Sequence, residues 1–303
     1  MKKATVTVPA STANLGPGFD CLALALSLRN TVELYETSRG LEIDVEGEGE
    51  DRVALDATNL IARSAEVVFE KAGRRPAGLR VHAVNGIPVG SGLGSSSAAI
   101  VGGLAAANAL VDARLTRDDL LRLATEIEGH PDNVSAALFG GLTLASHSGD
   151  ELLVKALPVP PLKVVIVLPD LRLSTAEARA ALPAQVPLKD AVFNIGRALF
   201  TVQAFTQLDF ELLRFAMADR LHQPYRKALI PGFDEAVVAA RKAGAAAVAL
   251  SGAGPALAAF APDRHWDIAN AMKAAFEAAG LASRTFVLPV DRQGVQVQVS
   301  VTG

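Results

Sequence analysis

The sequence predicts an α+β fold. Segments of strand periodicity and segments of helical periodicity occur in both halves of the chain, without the regular strand–helix–strand beat of a doubly wound sheet. Half of the 303 residues are hydrophobic and a fifth are charged, enough apolar side chain for a sizeable core. Glycine-rich turns interrupt the pattern near the start, the middle and the end, at 16–18, 90–94 and 252–254.

The elements follow in order. TVTV at 5–8, TVELYE at 31–36 and LEIDVEG at 41–47 alternate apolar and polar residues and read as strands of one sheet. From Asn59, the apolar positions Leu60, Ile61, Ala65, Val68 and Phe69 form a helical face that Gly73 ends. GLRVHAV at 78–84 is a further strand, leading through a serine–glycine loop into a helix that runs to about Val111. Thr116 and Asp119 have the spacing of a capping box and open the next helix. FGGLTLAS at 139–146 returns as a strand.

ALPVPPL at 156–162 places three prolines in seven residues, the expected boundary between an N-terminal domain, 1–155, and a C-terminal domain, 162–303. KVVIVLP at 163–169 reads as a buried strand, and Ser174 with Glu177 as a second capping box. Leu188, Val192, Ile195, Leu199 and Val202 mark the apolar face of a long amphipathic helix. Helices near 209–218 and 233–243 follow, then strands at 246–252 and 256–261, a helix at 263–279, and strands at 283–289 and 295–301.

The net charge is −3, from 29 basic and 32 acidic residues with no basic cluster, so neither nucleic acid nor an anionic membrane is an expected partner. Cys21 is the only cysteine, which excludes an internal disulfide and a cysteine zinc site and accords with a reducing compartment. MKKATVTVPASTANLG has no apolar run behind its lysines and does not read as a signal peptide. The longest apolar run, Ala98 to Val111, falls short of the roughly 20 residues that span a bilayer. A soluble, cytoplasmic protein is expected.

PVGSGLGSSSAA at 88–99 is the most informative stretch. Gly90, Gly92 and Gly94 can take positive φ and leave backbone N–H groups facing inward with no Cβ in the way. Ser95 and Ser96 stand where a helix begins, and the free N–H groups and the dipole there favour an anion. A nest of amides ending on a helix N-terminus is a phosphate cradle, here comprising Pro88, Val89, Gly90, Ser91, Gly92, Leu93, Gly94, Ser95, Ser96, Ser97 and Ala98. No lysine lies between 72 and 154, which excludes G-x-x-x-x-G-K-[ST], and Gly90-x-Gly92-x-Gly94 is not the dinucleotide spacing G-x-G-x-x-G.

PASTANLGPGFD at 9–20, PVGSGLGSSSAA at 88–99, EGHPDNV at 128–134 and LSGAGP at 250–255 stand together in one chain. In this order they resemble the motifs of the GHMP small-molecule kinases, and the resemblance runs from about residue 4 to the C-terminus. Within that superfamily the chain looks like the branch that phosphorylates the hydroxyl of L-homoserine. The resemblance implies an N-terminal domain like the second domain of ribosomal protein S5, a ferredoxin-like C-terminal domain, and a site between them. It also implies ATP and Mg²⁺ as cofactors, O-phospho-L-homoserine as product, a step of threonine biosynthesis, and a homodimer. A cradle without lysine is then expected, because this family holds its nucleotide without a Walker loop.

Metal-assisted phosphoryl transfer needs hard oxygen ligands. By resemblance these are Ser96 and Glu128, with Ser95 and Ser97 close in register. A zwitterionic amino alcohol needs a cation for its carboxylate, best an arginine fork, and oxygens for its ammonium. Arg179 in STAEAR and Arg226 in QPYRKALIP match the family's carboxylate-binding positions, while Asn14, Asp20, His130, Asn133 and Gly254 would line the rest. Asp20 is a partner for the ammonium or the hydroxyl. Relatives such as mevalonate kinase carry a lysine in the first motif, where Ser11 and Thr12 stand here, and an aspartate where Asn133 stands, with Asp132 one residue away. Asparagine accepts no proton at neutral pH, so positioning and charge stabilisation are expected to carry the rate. Asn133, Thr175 and Arg179 form the expected catalytic set, Thr175 orienting the hydroxyl. His82, His147, His222 and His265 have no such context.

Two other readings share part of this pattern. A GHMP kinase for a mevalonate-type or sugar substrate is disfavoured by the missing lysine and the paired arginines. An ATP-binding protein without turnover is favoured only by the missing base.

Overall fold

Alternating burial builds the first sheet. In β1 (Lys2–Ala13) the side chains of Ala4, Val6 and Val8 point into the core while Thr5 and Thr7 point away. β1 pairs antiparallel with β2 (Leu22–Thr37), from Lys3 opposite Tyr35 to Ala13 opposite Ala23, with a register shift between Pro9 and Ala10. The computed structural model describes residues 2–301. β3 (Gly40–Gly47) and β4 (Gly78–Asn85) run parallel, joined through α1 (Leu60–Ala72), which Asn59 caps and a left-handed Gly73 ends. β5 (Leu142–Ser148) and β6 (Glu151–Leu157) form a hairpin on the first residues of β2.

α2 (Ser95–Leu110) lies against β1 and β2 and is apolar all round, as a helix enclosed on every side must be. α3 (Arg117–Glu128) begins with the expected Thr116–Asp119 capping box, and α4 (Asp132–Phe139) follows directly after Gly129. The local pattern had marked neither α4 nor β6.

The second sheet is antiparallel throughout. Its strands are β7 (Lys163–Pro169), β8 (Ala247–Leu250), β9 (Leu257–Phe260) and β10 (Ser283–Pro289), in the order β10-β7-β9-β8. Its helices are α5 (Thr175–Ala180), opened by the Ser174–Glu177 capping box, α6 (Leu188–Gln207), α7 (Phe210–Ala216), α8 (Gln223–Arg226), α9 (Phe233–Ala243) and α10 (His265–Ala278). Residues 156–162 lie between β6 and β7, which belong to different sheets. The chain then crosses back: β11 (Gln296–Val301) pairs antiparallel with β1, Val301 opposite Lys2. One apolar core continues from the first sheet into the second, where Phe205 and Phe260 meet edge to face at 5.0 Å. Among the described residues no helix is long and apolar enough to cross a membrane.

The helix foreseen from Leu188, Val192, Ile195, Leu199 and Val202 is present. Its buried residues are Asn194, Thr201, Ala204 and Phe205; of the apolar stripe, Val202 packs against the core while Leu188, Val192, Ile195 and Leu199 are exposed. Periodicity tells which residues share a face, not what that face meets.

α1 and α2 pack closely. A Cβ on Gly103 would stand 2.5 Å from the Ile61 carbonyl oxygen. Gly103→Ala gains about 1 kcal/mol of helix propensity, yet must push two backbones apart, a strain of about 1–3 kcal/mol. The expected outcome is a lower urea midpoint at unchanged slope, and a raised midpoint would contradict the packing described.

Candidate active site

A cleft of about 420 Å³ opens where the glycine-rich segments meet. They meet through backbone. The Ser11 N–H donates to the Leu93 carbonyl (3.0 Å), Ala256 N–H to the Ser91 carbonyl (3.2 Å) and Gly252 N–H to the Ala13 carbonyl (3.1 Å). Ser251 Oγ donates to the Gly92 carbonyl (2.8 Å) and lies 2.9 Å from Thr12 Oγ1. Gly92 (φ 80°) has no room for a Cβ, which would collide with the Ser251 and Gly254 carbonyls. Gly94 (φ 72°) caps α2, and a Cβ there would collide with Ser11 Oγ.

Because Gly94 offers no capping side chain, the first N–H groups of α2 are left for an anion. Val89, Gly90, Ser91, Gly92, Gly94, Ser95 and Ser96 line the cleft. The other four residues of the expected cradle support it from behind. Leu93 and Ala98 are core, the Pro88 carbonyl accepts from Ser91 Oγ (2.6 Å), and Ser97 is wholly buried. Ser96 Oγ and Ser97 Oγ both donate to Glu128 Oε1, at 2.6 and 2.9 Å. Glu128 ends α3, where the helix dipole disfavours a carboxylate, and these two hydroxyls offset that. Of the three serines, Ser96 is the one that both lines the cleft and touches Glu128. A hydroxyl and a carboxylate converging beside an amide cradle are hard oxygen donors of the kind Mg²⁺ takes.

Two guanidinium groups stand at the other end. Arg226 is only 2 % exposed; its Nε donates to the Ala178 carbonyl (3.0 Å) and its Nη1 to the Gly252 carbonyl (3.3 Å). Burial, and then the neighbouring Arg179 charge, lower its pKa. Arg179 forms a bidentate pair with Asp20, at 3.0 and 2.9 Å. Both guanidinium groups lie over the Phe19 ring, Arg226 at 5.0 Å and Arg179 at 5.6 Å.

His222 stacks on Phe19 at 5.2 Å and is wholly buried. Its Nε2 donates to the Gly16 carbonyl (2.7 Å), its Nδ1 has no partner among the described residues, and burial lowers its pKa, so it stands neutral beside the two cations. Behind it, the Asp219 carboxylate accepts the backbone N–H groups of Leu221, His222 and Gln223. Asn194 of α6 ties Asp219 Oδ1 (2.7 Å) to the Pro17 carbonyl (3.2 Å).

The remaining expected residues also reach the cleft. Asn14 uses both ends of its amide internally: Nδ2 donates to the Gly252 carbonyl (2.8 Å), and Oδ1 accepts the Asp20 N–H (3.0 Å). Asn14 and Asp20 hold positive φ, 70° and 55°, at this junction. Asn133 Oδ1 accepts from Ser11 Oγ (2.8 Å). Asp132 Oδ1 accepts from the Asn133 N–H (2.8 Å) and from His130 Nδ1 (2.6 Å). Thr175 begins α5 on the cleft wall, and Gly254 closes the third loop.

Sequence reasoning missed Phe19, His222, Asn194 and Asp219. Phe19 lay inside a quoted motif and His222 four residues before Arg226, but neither spacing carries a signal of its own. The far end of the cleft, with Val45, Val53, Leu60 and Val89 beside Asn59 and Asn85, is assembled from scattered positions with no signature.

Burial lowers the pKa of His130, but its hydrogen bond to Asp132 and the charges of Asp132, Glu128 and Asp20 outweigh this, so the net shift is upward from 6.5. With the folded pKa raised, the stability that the protonated ring contributes is complete below pH 6.5 and is lost as pH rises through the folded value. Asp132→Asn removes the hydrogen bond and the largest of the neighbouring negative charges and lowers the His130 titration, read from the imidazole Cε1–H resonance. An unmoved titration would contradict the pairing.

The chain is similar to known proteins along most of its length. The GHMP kinases N terminal domain matches residues 59–141, and the GHMP kinases C terminal domain matches residues 201–278. The chain is 48% identical over 256 residues to the homoserine kinase of Carboxydothermus hydrogenoformans, covering 84% of each chain. It is 42% identical over 296 residues to that of Caldicellulosiruptor saccharolyticus, covering 97% of this chain and 96% of the other. The crystal structure of homoserine kinase from Cytophaga hutchinsonii superposes with a TM-score of 0.89 at 34% identity, covering 98% of this chain and 97% of that one. An L. major mevalonate kinase shares the fold, with a TM-score of 0.73 at 18% identity over 94% and 95% of the two chains.

Proposed function

The chain belongs to the homoserine kinase family of the GHMP kinases, and on that premise we propose how its cleft divides the work. It phosphorylates the hydroxyl of L-homoserine with ATP as donor, giving O-phospho-L-homoserine, a step of threonine biosynthesis. The observation that carries the division is that an amide cradle and a two-arginine pocket open on one cleft.

The ATP phosphates lie against the amides of 90–96 and the N-terminus of α2, with the base toward Val45, Val53, Leu60 and Val89. Ser96 and Glu128 would hold Mg²⁺, which when bound offsets the charge of the phosphates. The substrate carboxylate takes Arg179 and Arg226, and its ammonium takes Asp20. The Asp20–Arg179 pair is thus the complement of a zwitterion: substrate separates the two charges and gives each a new partner.

The hydroxyl is held near Thr175 and Asn133. Asn133 Oδ1 is engaged by Ser11, which leaves the amide N–H groups of Asn133 as donors to the transferring group. The hydroxyl oxygen bonds to the γ-phosphorus as the bond to the bridging oxygen breaks, and the hydroxyl proton passes to a phosphate oxygen or to water. In a loose transition state the nucleophile need not be deprotonated first. The N-terminal domain, 1–155, supplies the cradle and the C-terminal domain, 162–303, the arginines. The protein works in the cytoplasm as a homodimer.

ADP release with MgATP is expected to rise strongly with L-homoserine and little with L-threonine, L-serine or mevalonate; ATP binding without turnover on any of them would sink the reading. Arg179→Lys and Arg226→Lys each remove charged hydrogen bonds worth about 1.5–3 kcal/mol, so KM for homoserine should rise about 10- to 100-fold. Phe19→Leu removes the ring under both arginines and should raise the same KM about 3- to 10-fold. KM for ATP should stay within about twofold in all three. An equal rise in both KM values would place these residues elsewhere in the cycle.

A further inference from the structure

His222 lies outside the cleft lining, yet its ring makes two contacts with the first glycine-rich loop. Its Nε2–H donates to the Gly16 carbonyl at 2.7 Å, and its face stacks on Phe19 at 5.2 Å. Gly16 is pressed against the same stretch of chain, where a Cβ would stand 2.4 Å from the Met217 carbonyl oxygen.

These contacts dictate the side chain. The carbonyl of the buried Gly16 needs a donor. Phe19 needs a flat partner, and the neighbouring Arg226 and Arg179 exclude a third cation. Phenylalanine would lack the donor, an amide would lack the face, and lysine would add charge. Among side chains of this size, a neutral imidazole protonated on Nε2 meets all three demands, and burial keeps the ring neutral. The choice leaves Nδ1 a buried acceptor without a partner among the described residues. Phenylalanine would avoid that orphan, so the Nε2–H is what the position retains.

His222 and Arg226 stand one turn apart and reach the same ring, Arg226 at 5.0 Å from its centroid. The backbone that carries both is fixed from several sides. The fully enclosed Asp219 side chain accepts the N–H groups of Leu221 (2.8 Å), His222 (3.1 Å) and Gln223 (2.6 Å), together with the Asn194 amide (2.7 Å). Gln223 Oε1 accepts the Leu250 N–H (2.7 Å) at the entrance to the third loop. Segment 219–226 thus registers the first and third loops at the arginine end of the cleft. Among the described residues none of its hydrogen bonds reaches 45–60 or 88–96, so it bears on one substrate and not on the other.

We propose that His222 is a positioning residue for the carboxylate pocket, acting through Phe19 and the Gly16 carbonyl to set where Arg226 and Arg179 present their guanidinium groups. This rests on the assignment of the two arginines to the L-homoserine carboxylate and adds the group that holds them in place.

Steady-state ADP release by the full-length enzyme, varying L-homoserine and MgATP in turn, tests this. His222→Phe keeps the stack and drops the donor, His222→Gln keeps a donor and drops the stack, and His222→Leu drops both. The first two should raise KM for L-homoserine about 3- to 10-fold and the third about 10- to 100-fold, with kcat and KM for ATP within about twofold. Combining Phe19→Leu with His222→Leu should raise KM less than the product of the two single effects, by about threefold or more. A merely structural role would reduce the folded fraction, and so kcat, and leave both KM values alone. That result, an equal rise in both KM values, or a full product in the double variant overturns the inference while wild-type homoserine turnover stands. A wild type that does not turn over L-homoserine overturns the substrate reading and this inference with it.

Discussion

Three chain segments far apart in sequence share one backbone-to-backbone junction, and the rest of the site hangs on it. Gly92 and Gly94 are where the junction is tightest: at the first, a side chain would displace the carbonyls of the 251–254 turn, and at the second, the Ser11 hydroxyl. The carbonyls of Ser91, Gly92 and Leu93 are consumed in holding the other two loops. The loop's carbonyls are thereby turned away from the cleft, so that a negatively charged ligand meets N–H groups. On the proposed reading this cradle needs no lysine, because its geometry, and not a side-chain charge, selects the anion.

The same junction places two arginines near one another, an arrangement that repels itself unless something intervenes. Arg226 is held by two carbonyls and Arg179 by the Asp20 carboxylate, while the Phe19 ring lies beneath both. His222 completes the stack from behind, kept neutral by burial, so it adds polarisable surface and no third positive charge. Asn194 and Asp219 secure the backbone on which Phe19 and His222 sit. On the division of the cleft proposed above, affinity for a carboxylate comes from cations already in place, with little side-chain entropy left to lose on binding.

How much of this was legible in the sequence depended on its range. Local devices read correctly: the helix end at Gly73 and the capping boxes at Thr116 and Ser174 all use residues within four positions of one another. The α6 stripe was legible as a face but not as an exposed one, since the pattern of a helix is the same whether its partner lies in the chain or outside it. The Asp20–Arg179 pair joins residues 159 apart, and β11 returns to β1 across the whole chain. Neither leaves a local trace. Arg226 illustrates the division: motif resemblance marked it, while only the fold shows it almost wholly enclosed and bonded to backbone.

The carboxylates argue most directly about how the hydroxyl reacts. Among the described residues those lining the cleft are Asp20, Glu128 and Asp132, and each is engaged. Asp20 faces Arg179, Glu128 accepts two serine hydroxyls, and Asp132 accepts the His130 ring and the Asn133 N–H. Freeing Asp132 to take a proton would break a buried pairing with His130, and Asn133, which stands closer to the first loop through Ser11, has no basic atom. A base-first mechanism would therefore dismantle the structure that positions the reactants. Loose phosphoryl transfer avoids this: the proton leaves once the new P–O bond has drained charge from the hydroxyl, and what the protein must supply is an in-line hydroxyl and donors for the equatorial oxygens. On the reading proposed above, the amides of the cradle and the Asn133 side chain supply those donors, which makes an asparagine at this position compatible with turnover.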